Sequence, residues 1–348
     1  MIDVYADIMA EPQVVKDTLA EVGKRLPRIV EEVARRNIDN ICIVGVGSSY
    51  FVALAAQYII QEASGIPALA FSSMDYQRYY QNQLKENSAL IAVSQSGETF
   101  ETVDAVRAAS KSGVYTIALT NNEDSSLAQL CDDLILLRAG VEEGPGTKTV
   151  LAQCVAIYSL GVHLQGGGNG GLVEGLEIAP EMVAEMLSDE YQAELEPFVE
   201  HIAGQKVLYI IGAGPFWPLA LQHANVLREM SKIHCFPFEA TEFRHGPLEV
   251  ISRDSTVLVL SSGDCRGHDQ AIRAANLCKE AGAAVLYVGD AAGGAELEAD
   301  QKLILPEMNE FLGAQLYLVP LQLLSYLVTK RIGLNPGEFV NIVKTWTQ

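Results

Sequence analysis

Three hydroxyl side chains crowd one six-residue stretch, Ser94-Gln95-Ser96-Gly97-Glu98-Thr99. Hydroxyls and backbone N–H groups gathered around a glycine at a helix start are what holds a phosphate dianion without a cationic side chain. The residues before the stretch, Leu90 to Val93, are continuously apolar, as in a parallel strand buried on both faces. Those after it, Glu101 to Ala109, carry apolar positions at helical spacing. The hydroxyls therefore sit at a strand-to-helix turn, the place where open α/β sheets bind ligands. Ser and Thr also cap ordinary helices, and that reading stays open for the turn taken alone.

A second concentration of polar chemistry lies far downstream. Phe236 to Glu249 contains Glu239, Glu242, Glu249 and His245, with His245 set just before Gly246-Pro247 where the chain must turn. A histidine near carboxylates is a proton-transfer candidate, with a satisfied loop histidine as the alternative. Upstream, Ala220 to Lys232 reads as an apolar helix carrying Arg228 and Glu229. Burying a carboxylate there is costly without a purpose or a partner, and desolvation would raise its pKa into the range useful for a base. An ion pair with Lys232, three residues on, is the competing account.

Such residues need a scaffold that presents strand ends. Residues 1–36 read as a helical arm, with Pro12 at a helix start. Asn40–Val44, Ala68–Phe71, Leu90–Val93, Tyr115–Thr120 and Leu134–Leu137 read as strands, and Glu142 to Thr149 opens a long helix with a Gly/Thr start. After the glycine-rich Gln165–Gly171, a flexible linker by composition, the pattern repeats. Lys206–Gly214 mirrors Ile41–Gly47, Thr256–Gly263 mirrors Leu90–Gly97, and the strand after Gly282 mirrors the one after Gly113. The offsets are 167, 166 and 169 residues, so one α/β unit is duplicated. The copies differ in chemistry: Ser48-Ser49 becomes Pro215-Phe216 and Glu98-Thr99 becomes Asp264-Cys265. Ligand chemistry is expected in the first half, with the second half serving as scaffold and supplying residues from elsewhere.

Several functions are excluded or disfavoured. The third glycine of a dinucleotide fingerprint beginning at Gly45 falls on Tyr50, and no acid is cleanly placed about twenty residues on. No GxSxG elbow, P-loop or HExxH is present. Forty-four acidic against 24 basic residues, a net charge of −20, oppose binding to nucleic acid or an anionic membrane, while local N–H groups still allow a small phosphate. We expect no apolar run approaching ~18 residues and no signal peptide, and hence a cytoplasmic protein. The six scattered cysteines are expected as buried thiols, without a disulfide framework or a metal site.

Val46-Gly47-Ser48-Ser49, Ser94–Thr99, Thr147-Lys148 and Glu242-Phe243-Arg244-His245-Gly246-Pro247-Leu248, taken together, resemble the sugar isomerase (SIS) domain family over nearly the whole chain. The chain is similar to the isomerase half of glucosamine-6-phosphate synthases and to stand-alone deglycases of the fructoselysine-6-phosphate type. The resemblance implies two doubly wound parallel-sheet SIS domains, each a three-layer αβα unit, at 37–165 and 196–334. A helical arm at 1–36, a linker and helix at 166–195 and a tail at 335–348 accompany them. It implies that Ser48, Ser49, Ser94, Gln95, Ser96 and Thr99 hold a sugar 6-phosphate. Glu229 would be the C1/C2 proton-transfer base, and His245 the ring-opening histidine, reaching the site from the partner of a homodimer. Lys344 would be the tail lysine that forms an imine with the open sugar, although Pro336 stands farther from it than in the synthases.

No stretch matches the synthases' glutamine-hydrolysing domain, and Glu249 after His-Gly-Pro-Leu leans toward the deglycases. The expected activity is C1/C2 proton transfer on an amino or Amadori sugar 6-phosphate, with amine release or capture and no cofactor or metal. Aldose–ketose isomerisation without amine chemistry and non-catalytic sugar-phosphate sensing are the alternatives.

Overall fold

The computed structural model describes residues 2–164 and 170–342. They form two compact units, which are not simple linear halves. One comprises Ala10–Glu142 and Lys148–Pro180; the other comprises Glu181–Val340 with Glu143–Thr147 and the N-terminal helix Val4–Met9.

The Ala10 unit holds an all-parallel five-stranded sheet in the order β2-β1-β3-β4-β5. Its strands are β1 Asn40–Gly45, β2 Ala68–Ser72, β3 Ser88–Val93, β4 Tyr115–Thr120 and β5 Asp133–Leu136. β3 and β4 are buried at every position, as their unbroken apolar sequences require. Cys42, Val44, Leu90, Ala92 and Ala118 meet Ala105, Val106 and Leu127 in its core. The helix Glu11–Arg35 starts with Pro12 in its first turn, where a missing N–H costs nothing. It buries Val15, Val22, Leu26 and Ile29, three to seven residues apart, against the helix Lys148–Leu164 and β5.

The Glu181 unit repeats this plan. β6 Val207–Gly212, β7 His234–Glu239, β8 Thr256–Leu260, β9 Ala284–Gly289 and β10 Gln301–Ile304 form a parallel sheet ordered β10-β9-β8-β6-β7. Read from its other edge, this is the first sheet's order with each strand replaced by its counterpart. One glycine makes the equivalence concrete. A Cβ on Gly45 would lie 2.6 Å from the backbone of Ser49, and one on Gly212 would lie 2.2 Å from the backbone of Phe216. In both units the helix after the first strand starts so close to that strand's end that only glycine fits.

The sequence reading missed β7 and β10. Both are edge strands: β7 carries Pro237, tolerated where one side of the ladder is unpaired, and β10 has only four residues. Gln165–Asn169 of the expected linker lie outside the described residues, but Gly170 and Gly171 open a helix that runs to Met186. The expectation that no apolar run nears membrane-spanning length also needs correcting. Glu310–Arg331 is 22 residues long with mean hydropathy 1.5, and 89% of its apolar window is buried inside the protein. It is a core element, packed on the helices Phe216–Ser231 and Glu196–Ala203. All six cysteines are free, five of them buried, and burial pushes the thiols of Cys154, Cys235 and Cys278 up to about 12.

Candidate active site

In a 2-1-3-4-5 sheet the crevice opens where the strand order reverses, between the carboxyl ends of β1 and β3. Val44 pairs with Ala92 there, so the turns Gly45–Ser49 and Ser94–Thr99 leave the sheet side by side. Ser48, Ser49, Ser94, Gln95, Ser96 and Thr99 are thus borne by two adjacent turns of one unit.

Each hydroxyl has a defined place. Ser94, 2% exposed, accepts the Gly97 N–H at 3.2 Å and lies 3.0 Å from Thr99 Oγ1. Ser96 Oγ accepts the Glu98 N–H at 3.2 Å and keeps its own proton for a ligand. Ser49 Oγ is held at 3.2 Å by the Nε2 of Gln153, a buried residue of the helix Lys148–Leu164. No local pattern could have revealed Gln153, because the pair is 104 residues apart. Gly97 has φ +68°, and a Cβ there would strike Ser125 Oγ at 2.1 Å; the turn needs glycine for shape and space rather than for mobility. Glu98 accepts both the N–H and the hydroxyl of Ser126 at 2.8 Å, which fastens the turn to the next helix and makes Glu98 structural.

Ordinary helix capping does not account for these turns. Ser125, Asp290 and Asn309 each cap a helix through their side chains. The helices Ser48–Ser64 and Phe100–Ser110 begin at Gly47 and Thr99 with no side-chain cap, as do their counterparts Phe216–Ser231 and His268–Glu280, so the hydroxyls rather than the missing caps set these turns apart. Among the described residues the N–H groups of Gln95 and Ser96 also have no hydrogen-bond partner. At the equivalent turn in the other unit Gly263 N–H donates to the buried Asp290 carboxylate at 2.9 and 3.1 Å, where Gly97 N–H donates to the Ser94 hydroxyl. The second turn thus has a buried carboxylate where the first has neutral hydroxyls. A cavity of about 950 Å³ opens beside Gln95 and Ser96, over the ends of β4 and β5. Its cations Lys24 and Arg138 are bound to Glu21, whose carboxyl they and Arg25 hold down at about 2.

Glu229 and His245 belong to the other unit. Glu229 lies near the end of the helix Phe216–Ser231, half-buried rather than sunk in apolar surroundings as its sequence context implies. Asn225 Nδ2 donates to its Oε1 at 2.8 Å. Lys232 directs its ammonium to the backbone carbonyls of Glu229 and, at 2.8 Å, of Glu338. The tail segment around Glu338 is thereby tied to the helix end that carries Glu229. Lys344 lies outside the described residues. His245 is exposed on the turn after the short helix Ala240–Phe243, which Glu239 caps through Thr241 and Glu242 N–H. Its backbone N–H donates to Glu242 O at 3.0 Å, and Gly246 follows at φ +146°. Among the described residues, no group of three His, Cys, Asp or Glu side chains is arranged to hold a metal.

Two repeated doubly wound units, one with a hydroxyl-lined switch point, define a class of duplicated α/β protein. Residues 36–163 and 201–329 each match the SIS domain profile, and the chain belongs to the SIS domain family. It is 34% identical to the glutamine–fructose-6-phosphate aminotransferase (isomerizing) of Methanothermobacter thermautotrophicus, over 98% of this chain and 56% of that protein. It is 32% identical to its counterpart from Gloeobacter violaceus, over 98% and 58%. The chain thus spans a little over half the length of these relatives. The solved C-terminal domain of glucosamine-fructose-6-phosphate aminotransferase from Francisella tularensis superposes with a TM-score of 0.86 at 25% identity, covering 95% of this chain and 96% of that one. Tagatose-6-phosphate ketose/aldose isomerase from Escherichia coli shares the fold, with a TM-score of 0.80 at 18% identity over 99% and 97% of the two chains.

Proposed function

We propose that the chain is an enzyme acting on an amino or Amadori sugar 6-phosphate, moving a proton between C1 and C2 with release or capture of an amine. The observation that carries this reading is the gathering of hydroxyls, among them Ser96 with its proton still to donate, around the helix starts at Gly47 and Thr99 on the switch point. The sugar phosphates in the relatives' names point to the same ligand class.

Phosphate binding at the turn supplies energy remote from the reacting carbons and fixes their position. His245 assists ring opening. Glu229 then takes a proton from C1 of the ketoamine, the electron pair forms the C1–C2 double bond of an enolamine, and the proton returns at C2. The resulting C1 imine is hydrolysed by water to an aldose 6-phosphate and the free amine. In this direction the C2 carbonyl oxygen takes up the electron pair and a proton; in the amine-capture direction Lys344 forms an imine with C2 of the open ketose, and the incoming amine displaces the lysine by transimination before the proton moves. The active unit is a homodimer in which His245 crosses to the neighbouring subunit, in keeping with its exposed place on the turn.

Incubation with fructosamine 6-phosphates, glucosamine 6-phosphate and fructose 6-phosphate, with assay of free amine and hexose 6-phosphate, tests the reading. Amine release from the first two supports it. Interconversion of fructose and glucose 6-phosphates alone indicates plain aldose–ketose isomerisation, and tight binding without turnover indicates a sensor. Replacing Ser94, Ser96 and Thr99 together by alanine should weaken glucose 6-phosphate binding in calorimetry with the fold intact, since each hydrogen bond to a charged group contributes about 1.5–3 kcal/mol. Unchanged affinity would remove the phosphate assignment.

A further inference from the structure

The turn that carries His245 has a counterpart in the Ala10 unit. Arg78 stands 167 residues before His245, an offset that also relates the two copies at their first glycine turns. Both residues follow the edge strand beside the first strand of their sheet, β2 in one unit and β7 in the other. The last residue of each strand caps a short helix: Ser72 accepts the Asp75 N–H at 3.1 Å, and Glu239 accepts the Thr241 and Glu242 N–H groups. Fully buried Tyr76 then stands where fully buried Phe243 does. Beyond these anchors the copies diverge. His245 precedes Gly-Pro, whereas Arg78 lies in the π-helical turn Tyr76–Tyr80, exposed together with Met74, Tyr79 and Tyr80. Among the described residues the Arg78 guanidinium has no hydrogen-bond or ion-pair partner.

The turns that follow β3 and β8 diverge in a matching way. Ser94–Thr99 gathers hydroxyls, while Ser261–Cys265 carries the exposed Asp264 and binds the buried Asp290, with Asp269 exposed in the first turn of the next helix. Arg266, the cation of this turn, is ion-paired with Glu310 at 3.1 Å. Ser262 is fully buried there, and its hydroxyl has no hydrogen-bond partner.

Resting on the reading that His245 reaches the neighbouring subunit, we propose that Arg78 makes the reciprocal contact. The Ala10 unit that receives a partner's His245 sends its own Arg78 to that partner's Ser261–Cys265 turn. A two-fold interface between copies of one folding unit is self-complementary, so each kind of contact recurs in the opposite sense. The charges suit this exchange: a planar guanidinium pairs well with the exposed carboxylates of Asp264 and Asp269. Met74, Tyr79 and Tyr80 surround the cation with the residue types that enrich protein interfaces and shield such a pair from water.

Charge reversal, followed by sedimentation velocity, tests the contact. Arg78→Glu and Asp264→Lys should each raise the dimer dissociation constant at least about tenfold with circular dichroism unchanged, because like charges then face each other. Mixed in equal amounts, the two variants should pair with each other in preference to themselves. Their hybrid holds one native contact and one with both charges reversed, whereas either homodimer holds two repulsive ones. Asp264 also accepts the Glu310 N–H at 3.0 Å, so Asp269→Lys is the second variant, which leaves that bond alone and should pair with Arg78→Glu in the same way. A dimeric wild type whose dissociation constant is unmoved by Arg78→Glu, or variants that gain nothing on mixing, overturns the inference and leaves the His245 reading standing. A wild type that stays monomeric at every concentration removes the shared site and the inference with it.

Discussion

The ammonium of Lys232 lies 2.8 Å from the carbonyl oxygen of Glu338, a residue 106 positions later, while the same group also bonds the carbonyl of Glu229. Lys232 ends its helix at φ +62°, a left-handed conformation that glycine or asparagine adopts more readily. Its long side chain serves as a tether between the tail and the helix end bearing Glu229. Lys232→Asn keeps a residue suited to the cap and removes the ammonium. Amide exchange in a peptide covering residues 335–342 should then quicken about tenfold, the worth of a charge-assisted hydrogen bond. Unchanged protection would show that the tail is held by other contacts.

Gly97→Ala and Gly47→Ala separate two uses of glycine. Both positions have positive φ, +68° and +57°, but only at Gly97 would the new methyl collide, 2.1 Å from Ser125 Oγ. Gly47→Ala should cost about 1–3 kcal/mol, the penalty of a backbone conformation (φ +57°, ψ −128°) that residues with a Cβ rarely adopt, and Gly97→Ala about 2–5 kcal/mol through added overpacking. Chemical denaturation of the two variants measures the difference. Equal losses would mean that Ser125 moves aside freely.

What the sequence revealed of this protein follows a physical rule. Apolar runs ending in Gly-rich or hydroxyl-rich turns, such as Ile41–Gly47 and Leu90–Thr99, were legible because strand burial and turn chemistry are local. Edge strands β7 and β10 were not, because an edge tolerates Pro237 and four-residue lengths that break the strand pattern. Glu229 was legible as a carboxylate in an apolar helix, and its Asn225 partner lies within reach of the i, i+4 rule. The bonds Gln153–Ser49 and Gly263–Asp290 join separate elements across 104 and 27 residues, where spacing alone gives no signal. The Asp290 bond also places a buried carboxylate at the second turn, a chemical difference between the copies that Cys265 in the place of Thr99 indicated only in part.

His223 predicts an acid-side loss of stability. It is fully buried, its Nδ1 lies 3.4 Å from Ser325 Oγ, and burial pushes its imidazole down from 6.5 to about 3. Between those values the unfolded chain binds a proton that the folded chain does not, so stability falls as pH drops from about 6.5 toward 3. The slope from this one group is up to ~1.4 kcal/mol per pH unit. Urea denaturation at pH 7, 5.5 and 4.5 should show the His223→Gln variant gaining on wild type as the pH falls. Parallel curves would contradict the assignment.

The proposal that His245 reaches the neighbouring subunit's site predicts complementation. Glu229→Gln and His245→Ala proteins, each inactive alone, should regain part of the activity on mixing, because a hybrid dimer holds one site with both wild-type groups. No recovery after verified subunit exchange would place His245 in its own subunit's site or outside the chemistry.

Proton transfer at C1 and C2 is the central claim, and solvent deuterium reads it directly. With a fructosamine 6-phosphate substrate in D2O, NMR of the glucose 6-phosphate formed by wild-type protein should show deuterium at C2. Glu229→Gln should still bind substrate, while its exchange and turnover fall by at least ~10²-fold, the usual contribution of a general base. Product free of deuterium would also fit a proton carried between the carbons without solvent exchange, so the rate in Glu229→Gln is decisive. Wild-type turnover retained in that variant would contradict the account.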